Sequence, residues 1–512
     1  MKTISVDVET SKVPRHHPWI PGSYLVSVGM AFPDGSTRTW VFNHRDAPPS
    51  NNQLCMIREI QQEVDAADRI VGHNLKFDIQ WLNSIGINTD GNKLYCTMLA
   101  EYLINGQRQV SYSLAATSQR YGITPKIDRV KMYWESGYET DEIPMHTLLP
   151  YLEQDCINTL ALYQHQVPVI CKWRMERLVS LQMELMRMLG EMEATGIRLD
   201  VKKSQELLAQ LKEEAKTCEV ELVMEFDRDD LNIQSNQELS AALYGGKIKR
   251  EIDEAYVTDR NAVIREAYTF HYKDNKKPPV VKWRNRPVKE IYSKVRKVVE
   301  EITLPRIFAP PVKEELDYYS VDKNTLSTLA ATTKRQKKII ELLQKYSAAT
   351  KAAETFEGKS EGSGLLAKVM PGNLIHTSFN QTIARTGRLT SSNPNGQNLP
   401  RKGTSPIKTV FVPRFDLIGN GDLSQIEWRA AVWQSQDPVA MREILDGVDQ
   451  HRENAIVFFG ANPELPNDHP EFKPIRTTAK TFTFRLLKQL SHHTAMCVAN
   501  HVNSGELPMG QS

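Results

Sequence analysis

Arg385-Thr-Gly-Arg-Leu-Thr-Ser-Ser-Asn-Pro-Asn-Gly-Gln-Asn-Leu-Pro400, followed after twenty-one residues by Asp422-Leu-Ser-Gln-Ile-Glu427, is the pair of segments on which the reading of this chain turns. The first is rich in Gly, Pro, Asn and Ser, which hold a turn-dense backbone. It presents Arg385 and Arg388 beside the amides of Asn395, Gln397 and Asn398. Arginine and amide side chains can reach minor-groove acceptors, which correctly paired bases present in similar positions. The second segment reads as a strand end carrying Asp422, with Glu427 on the helix that follows.

Further on, Asp449-Gln-His451 is followed by Arg476, Lys480 and Phe484 at i, i+4 and i+8, one face of a helix. Together these segments resemble the template-primer segment, first catalytic motif, D-x-H element and R-x3-K-x3-F fingers helix of family A DNA polymerases. Leu189–Asp200 resembles the opening of the polymerase region, and Leu231–Leu239 an element near the thumb base. The resemblance implies that Arg388 contacts the primer terminus, with Arg385, Gln397 and Asn398 along the primer-template. It implies that Asp422 is a catalytic metal ligand assisted by the Leu423 carbonyl, and that Glu427 crowds the sugar C2′ in favour of deoxynucleotides. His451, Arg476 and Lys480 would hold the incoming dNTP and Phe484 its sugar. Leu423 stands where many members have Tyr. Phosphoryl transfer of this kind is mostly positioning plus charge stabilisation by two metals.

The first third carries a second constellation. Asp7 and Glu9 lie two apart on a strand pattern, so their side chains share one face. Two carboxylates at a sheet centre call for a cation to offset their desolvation. Gly72-His-Asn-Leu-Lys-Phe-Asp78 reads as a strand end leading into a helix, with Asn74 as its cap and Asp78 one turn inside. Tyr151 and Asp155, at i and i+4, share a helical face. This set resembles the DEDD exonucleases that have tyrosine in their third motif. The resemblance implies two Mg2+ or Mn2+ ions held by Asp7, Glu9 and Asp155, with Asp78 on the second ion. It further implies a water oriented by Tyr151 and a DNA 3′ end contacted by Thr10 and Asn74.

Around these motifs the chain is nearly charge-balanced, with 64 Lys+Arg against 62 Asp+Glu. Between Lys247 and Lys297, however, fifteen Lys/Arg face seven Asp/Glu, and Lys334-Arg-Gln-Lys-Lys338 adds a second cluster. Read as basic thumb helices, both imply phosphate-backbone contact. The six cysteines are scattered, without metal or disulfide spacing, which points to a reducing compartment. No apolar run reaches membrane-spanning length, and no membrane partner is expected. The nuclease-like segment starts at the N-terminus, as in many phage members, which suggests the cytoplasm of a bacterial host.

The expected architecture is mixed α/β and multidomain. A ribonuclease-H-like exonuclease domain occupies 1–170, the start of the palm and a helical thumb 171–365, and the first part of a right-hand palm 366–455. The start of the fingers follows at 456–487, with an unmatched tail at 488–512. Family members continue the fingers helix into a Tyr-Gly pair, where this chain has Lys488 and Gln489, and no His-Asp-Glu tripeptide occurs. That tripeptide supplies the second palm aspartate in relatives. The expectation is therefore an N-terminal polymerase portion that uses primed DNA, single-stranded 3′ ends and dNTPs. It would bind polymerase metals only when a second chain supplies the rest of fingers and palm. Such a palm exposes a sheet edge and apolar surface. The alternatives are a stand-alone two-metal exonuclease and a non-catalytic DNA-binding remnant.

Overall fold

Ile4, Val6 and Val8 alternate with Ser5, Asp7 and Glu9 along β1 (Thr3–Thr10), and all but Asp7 of these are buried. Burial on both faces places β1 at the centre of a five-stranded sheet. Its neighbours are β2 (Leu25–Ala31), β3 (Thr37–Val41), β4 (Arg69–Gly72) and β5 (Lys93–Cys96), in the order β3-β2-β1-β4-β5. β1 runs antiparallel to β2 and parallel to β4, and its register sets Asp7 opposite Gly29 and Glu9 opposite Ser27. Helices α1 (Gln53–Asp65), α2 (Leu75–Ser84), α3 (Thr97–Ile104), α4 (Leu114–Arg120), α5 (Arg129–Glu135) and α6 (Met145–Lys172) complete this domain. The computed structural model describes residues 2–12, 17–47, 52–123, 129–271, 278–311, 318–399 and 406–483.

α7 (Glu176–Thr195) has two apolar stripes. Val179, Met183, Met186 and Leu189 are buried, whereas Leu178, Leu181, Met188 and Met192 are exposed. Gly196 ends the helix at φ 64°, in the left-handed region that suits glycine. β6 (Ile197–Leu199) then pairs with β9 (Leu374–Ile375) and β12 (Phe411–Val412) in a three-stranded sheet of order β12-β6-β9. The Asp200 carboxylate caps α8 (Val201–Phe226) by accepting from the Lys203 N–H. α8, α9 (Asn236–Tyr244), α10 (Lys323–Thr328) and α11 (Lys334–Glu357) form the helical part of the expected thumb. Leu222, Leu239, Leu243, Ile339 and Leu343 are buried in its core.

Basic helices do not fill 247–297. β7 (Gly246–Phe270) and β8 (Val280–Leu304), of 25 residues each, pair over their whole length as an antiparallel two-stranded ribbon. Pro287, in the middle of the second segment, would break a helix there. Val, Ile, Tyr and Trp on either side favour extended backbone. The second basic cluster lies on α11 and is partly paired. Lys338 pairs with Glu221 and Glu225 at 3.4 and 3.1 Å, and Arg335 with Glu225 at 3.6 Å, which ties α11 to α8.

The chain divides into two compact units, Met1–Leu417 and Ile418–Ser512. The second holds α12 (Ile426–Ser435), α13 (Pro438–Leu445) and α14 (Gln450–Phe459), and is helical again from 472 to 483. Its small core is built from Ala455, Ala461, Phe472 and Ala479. No strand forms at 415–423, contrary to the expectation for Asp422. A strand needs a paired neighbour, and none of the described strands lies beside this segment. Phe415, Leu417, Leu423, Trp433, Leu445 and Val457 are exposed.

Candidate active site

Four elements converge around the central strand of the five-stranded sheet. The side chains of Ser5, Asp7 and Glu9 share one face of β1, and α6 lies against that face. The Ser5 hydroxyl donates to the Cys156 carbonyl at 2.7 Å. A Cβ on Gly29 would stand 2.7 Å from Leu152 Cγ and 3.1 Å from Cys156 Sγ. Glycine at this position therefore lets α6 approach closely, bringing Asp155 beside Asp7. On the other side, Gly72 permits the tight turn into α2, where its Cβ would lie 2.6 Å from Leu75 Cδ1. His73 fixes this turn through contacts with Thr97 Oγ1 at 2.9 Å and the Tyr112 carbonyl at 2.8 Å. Asn74 stands at the helix N-terminus in a left-handed conformation, φ 66°, and its side chain makes no capping bond, contrary to expectation.

Asp78 is anchored by the Val8 N–H, which donates to Oδ1 at 3.2 Å, between Asp7 and Glu9. Its Oδ2 is buried without a hydrogen-bond partner. Burial first, and then the Asp7 charge, hold the Asp78 carboxyl well above the usual carboxylate range. The Cys156 thiol is likewise pushed up by burial and then by the charges of Asp7, Asp155, Asp78 and Glu9. All four acids thus act on one point. Among the described residues no group of three or more His, Cys, Asp or Glu side chains is gathered in ion-holding geometry as it stands. The donor chemistry nevertheless fits a divalent cation, which would supply the missing partner of Asp78 and offset the mutual repulsion. Tyr151 is half-buried, its ring edge-on to Trp134 at 6.1 Å. Thr10 is buried, just past a register shift after Glu9.

A polar node that the motifs do not reveal links this site to the template-primer segment. Lys76, two residues before Asp78, donates to Glu193 Oε1 at 2.5 Å and to the carbonyl of Phe379. Glu193 also accepts from Gln80 Nε2 at 2.7 Å and from the Phe379 N–H at 2.5 Å. Phe379 lies in β10 (Ser378–Asn380), which pairs with β11 (Thr390–Ser392). The turn after β10 rests on the nuclease domain. The Tyr102 hydroxyl donates to the Ala384 carbonyl at 2.6 Å, and Gly387, at φ 69°, sits against Gln107. Arg385, Arg388, Gln397 and Asn398 are exposed around this turn. Asn395 is used internally instead, its Oδ1 accepting from Ser391 Oγ and from the N–H groups of Gln397 and Asn398.

In the second unit Asp422 and Leu423 are exposed, and Glu427 lies in the first turn of α12. Asp449 caps α14 by accepting from the N–H groups of His451 and Arg452. Its Oδ2 also receives Arg476 Nε and Nη2, at 3.0 and 2.7 Å. Burial works to raise the Asp449 carboxyl, but the Arg476 guanidinium outweighs it and holds the group below its ordinary value. Burial lowers His451, which is 4 % exposed; Asp449 acts the opposite way, and Lys480 and Arg476 lower it further. His451, Arg476 and Lys480 are therefore brought together. Phe484, Lys488 and Gln489 lie outside the described residues. No helix among the described residues is long and apolar enough to cross a membrane.

The 3′–5′ exonuclease family model matches residues 1–169, and the DNA polymerase family A model matches residues 288–496, running past Gln489 into the tail. DNA polymerase I of Synechocystis is 26% identical over 90% of this chain and 40% of its own length. The DNA polymerase of Bacillus phage SP01 is 25% identical over 91% and 50%. The thermostable DNA polymerase I of Thermus filiformis is 35% identical over 30% of this chain and 18% of its own length. The chain thus spans half or less of the length of these relatives. In fold it is similar to the polymerase domain of Pol1 from M. smegmatis, solved with DNA primer-template and dNTP. That likeness has a TM-score of 0.61 and 19% identity, covering 94% of this chain and 67% of that one.

Proposed function

The chain belongs to DNA polymerase family A and carries a 3′–5′ exonuclease domain, and on that premise we propose that it removes nucleotides from DNA 3′ ends at Asp7, Glu9, Asp78 and Asp155. The observation that carries this reading is the convergence of these four acids, with Asp78 Oδ2 buried and unpartnered. Two divalent ions, Mg2+ or Mn2+, would supply Lewis-acid stabilisation and an activated water there. Asp7, Glu9 and Asp155 would hold them, with Asp78 reaching the second through water. Tyr151 would orient the attacking water, and Thr10 and Asn74 would contact the terminal nucleotide.

Synthesis is the second activity of this reading, supported by the convergence of His451, Arg476 and Lys480. Arg476, held by Asp449 here, would turn to the triphosphate together with Lys480, His451 and Phe484. Asp422 and the Leu423 carbonyl would hold polymerase metals, Glu427 would screen the sugar, and Arg385, Arg388, Gln397 and Asn398 would hold the primer-template.

Asp7→Ala with Glu9→Ala is expected to lower metal-dependent degradation of single-stranded DNA by about 100-fold or more. Unchanged degradation would remove the nuclease assignment. Primer extension by the chain, if unaffected by Asp422→Ala, would remove Asp422 from the synthesis reading.

A further inference from the structure

The β7–β8 ribbon serves neither site. Two strands of 25 residues span about 80 Å, and a two-stranded hairpin is at best marginally stable in water by itself. Its base is anchored. Ile248, Ile302 and Leu304 pack into the thumb's helical core, and Arg250 is bound by Glu238 and the Asp230 carbonyl. Beyond the base the ribbon has no covering layer, since most of its side chains are exposed.

Charge is distributed unevenly along it. The stretches nearest the anchor, 246–255 and 295–304, carry five Lys/Arg and five Asp/Glu, whereas 256–270 and 280–294 carry seven against three. Near the anchor the charges pair across strands, as Lys247–Glu301 and Lys297–Glu251 at 3.1 Å and Arg296–Glu254 at 2.7 Å. Farther out, Arg284 and Arg286 share the single carboxylate of Glu266, at 3.2 and 3.5 Å.

The register then sorts the chemistry by face. Tyr268 is opposite Lys282, Glu266 opposite Arg284 and Ile264 opposite Arg286, so these side chains stand on one side of the ribbon. Lys282 Nζ lies 3.7 Å from the Phe270 ring centre, and the Arg284 guanidinium 5.4 Å from that of Tyr268. Rings beneath the cations hold them extended. Lys282, Arg284 and Arg286 recur at every second residue, about 6.7 Å apart, roughly two phosphate steps of a duplex strand.

We infer that this face of the distal ribbon is a sequence-independent arm for the phosphate backbone of duplex DNA, carried by Lys282, Arg284 and Arg286 over Tyr268 and Phe270. The inference rests on the proposed function only in taking DNA as the substrate. A polyanion is the partner that an excess of cations selects, and a two-stranded ribbon is narrow enough for a major groove about 12 Å wide. The opposite face exposes Val257, Val281, Ile291 and Val295 and also carries Arg265 over the Trp283 ring at 5.7 Å; its role is separated by the same experiment.

The full chain is titrated with a labelled duplex of about 30 base pairs across a salt series, by fluorescence anisotropy. The variant Lys282→Ala/Arg284→Ala/Arg286→Ala is expected to bind several-fold more weakly. Its slope of log affinity against log salt should be shallower by about 2–3, equally for two unrelated duplex sequences. Arg284→Lys/Arg286→Lys should keep the parental slope, which distinguishes lost charge from lost fold. Equal affinity and slope in the triple variant would overturn the inference. So would a loss of binding confined to Val257→Ser/Ile291→Ser/Val295→Ser, which would move the duplex contact to the opposite face. An unaltered chain with no salt-dependent affinity for duplex would overturn the DNA reading as well.

Discussion

Gly29 decides how near α6 comes to the sheet, and hence where Asp155 stands. Gly29→Ala forces Leu152 and the helix outward, because the new Cβ would lie 2.7 Å from Leu152 Cγ. Overpacking of this kind costs about 1–3 kcal/mol. The expected result is a lower unfolding midpoint with a disproportionate loss of nuclease activity, measured by thermal denaturation and by digestion of a single-stranded oligonucleotide. Adding Leu152→Ala should restore much of both. If Gly29→Ala is as active as the parent, helix approach does not set the site. Asp7, Glu9, Asp78 and Asp155 were legible because carboxylate spacing is written in the sequence. Gly29 was not, because its neighbours Leu152 and Cys156 lie more than a hundred residues away.

At the scale of elements, the joint between α2, α7 and β10 turns on Glu193. Its side chain is fully buried and accepts from Lys76, Gln80 and the Phe379 N–H. Glu193→Ala would leave the Lys76 ammonium, 16 % exposed, without its main acceptor. Removing one partner of a buried ion pair costs about 3–5 kcal/mol, and urea denaturation should show a loss of that order. A change below about 1 kcal/mol would mean that solvent replaces the glutamate. The same joint runs from the helix of Asp78 to the strand leading into the Arg385 turn, so it holds those two segments together. The sequence marks Glu193 only as one acid of a motif, and nothing local names its partners. The ribbon teaches the complementary lesson. Its charge suggested helices, while Pro287 and the β-branched residues around it were the stronger signal.

For the whole molecule, the division at Leu417 and Ile418 separates a unit with several buried cores from one whose buried core is small. The connecting segment, with Phe415, Leu417 and Leu423 exposed and no regular structure at 415–423, is an open substrate for a protease. Limited proteolysis of the full chain should therefore cut first near 413–424, leaving an N-terminal fragment that still digests single-stranded DNA. A fragment without nuclease activity, or first cuts inside the five-stranded sheet, would show that the first unit depends on the second.

The sequence by itself carried the resemblance to DNA polymerase family A, the mixed α/β class and the spacing of Asp7, Glu9, Asp78 and Asp155, because each is encoded in short spacings and strong local patterns. It also placed His451, Arg476 and Lys480, through one helical repeat and one capped helix start. Only the tertiary structure decided which stripe of α7 is inward and that Asn395 serves its own turn. It also decided that Lys338 answers Glu221 and Glu225, and that Gly246–Phe270 and Val280–Leu304 form a ribbon. In each case the outcome depends on a partner distant in sequence. Asp422 shows the boundary most clearly: its motif is local, but the strand expected to carry it forms only when a neighbouring strand pairs with it.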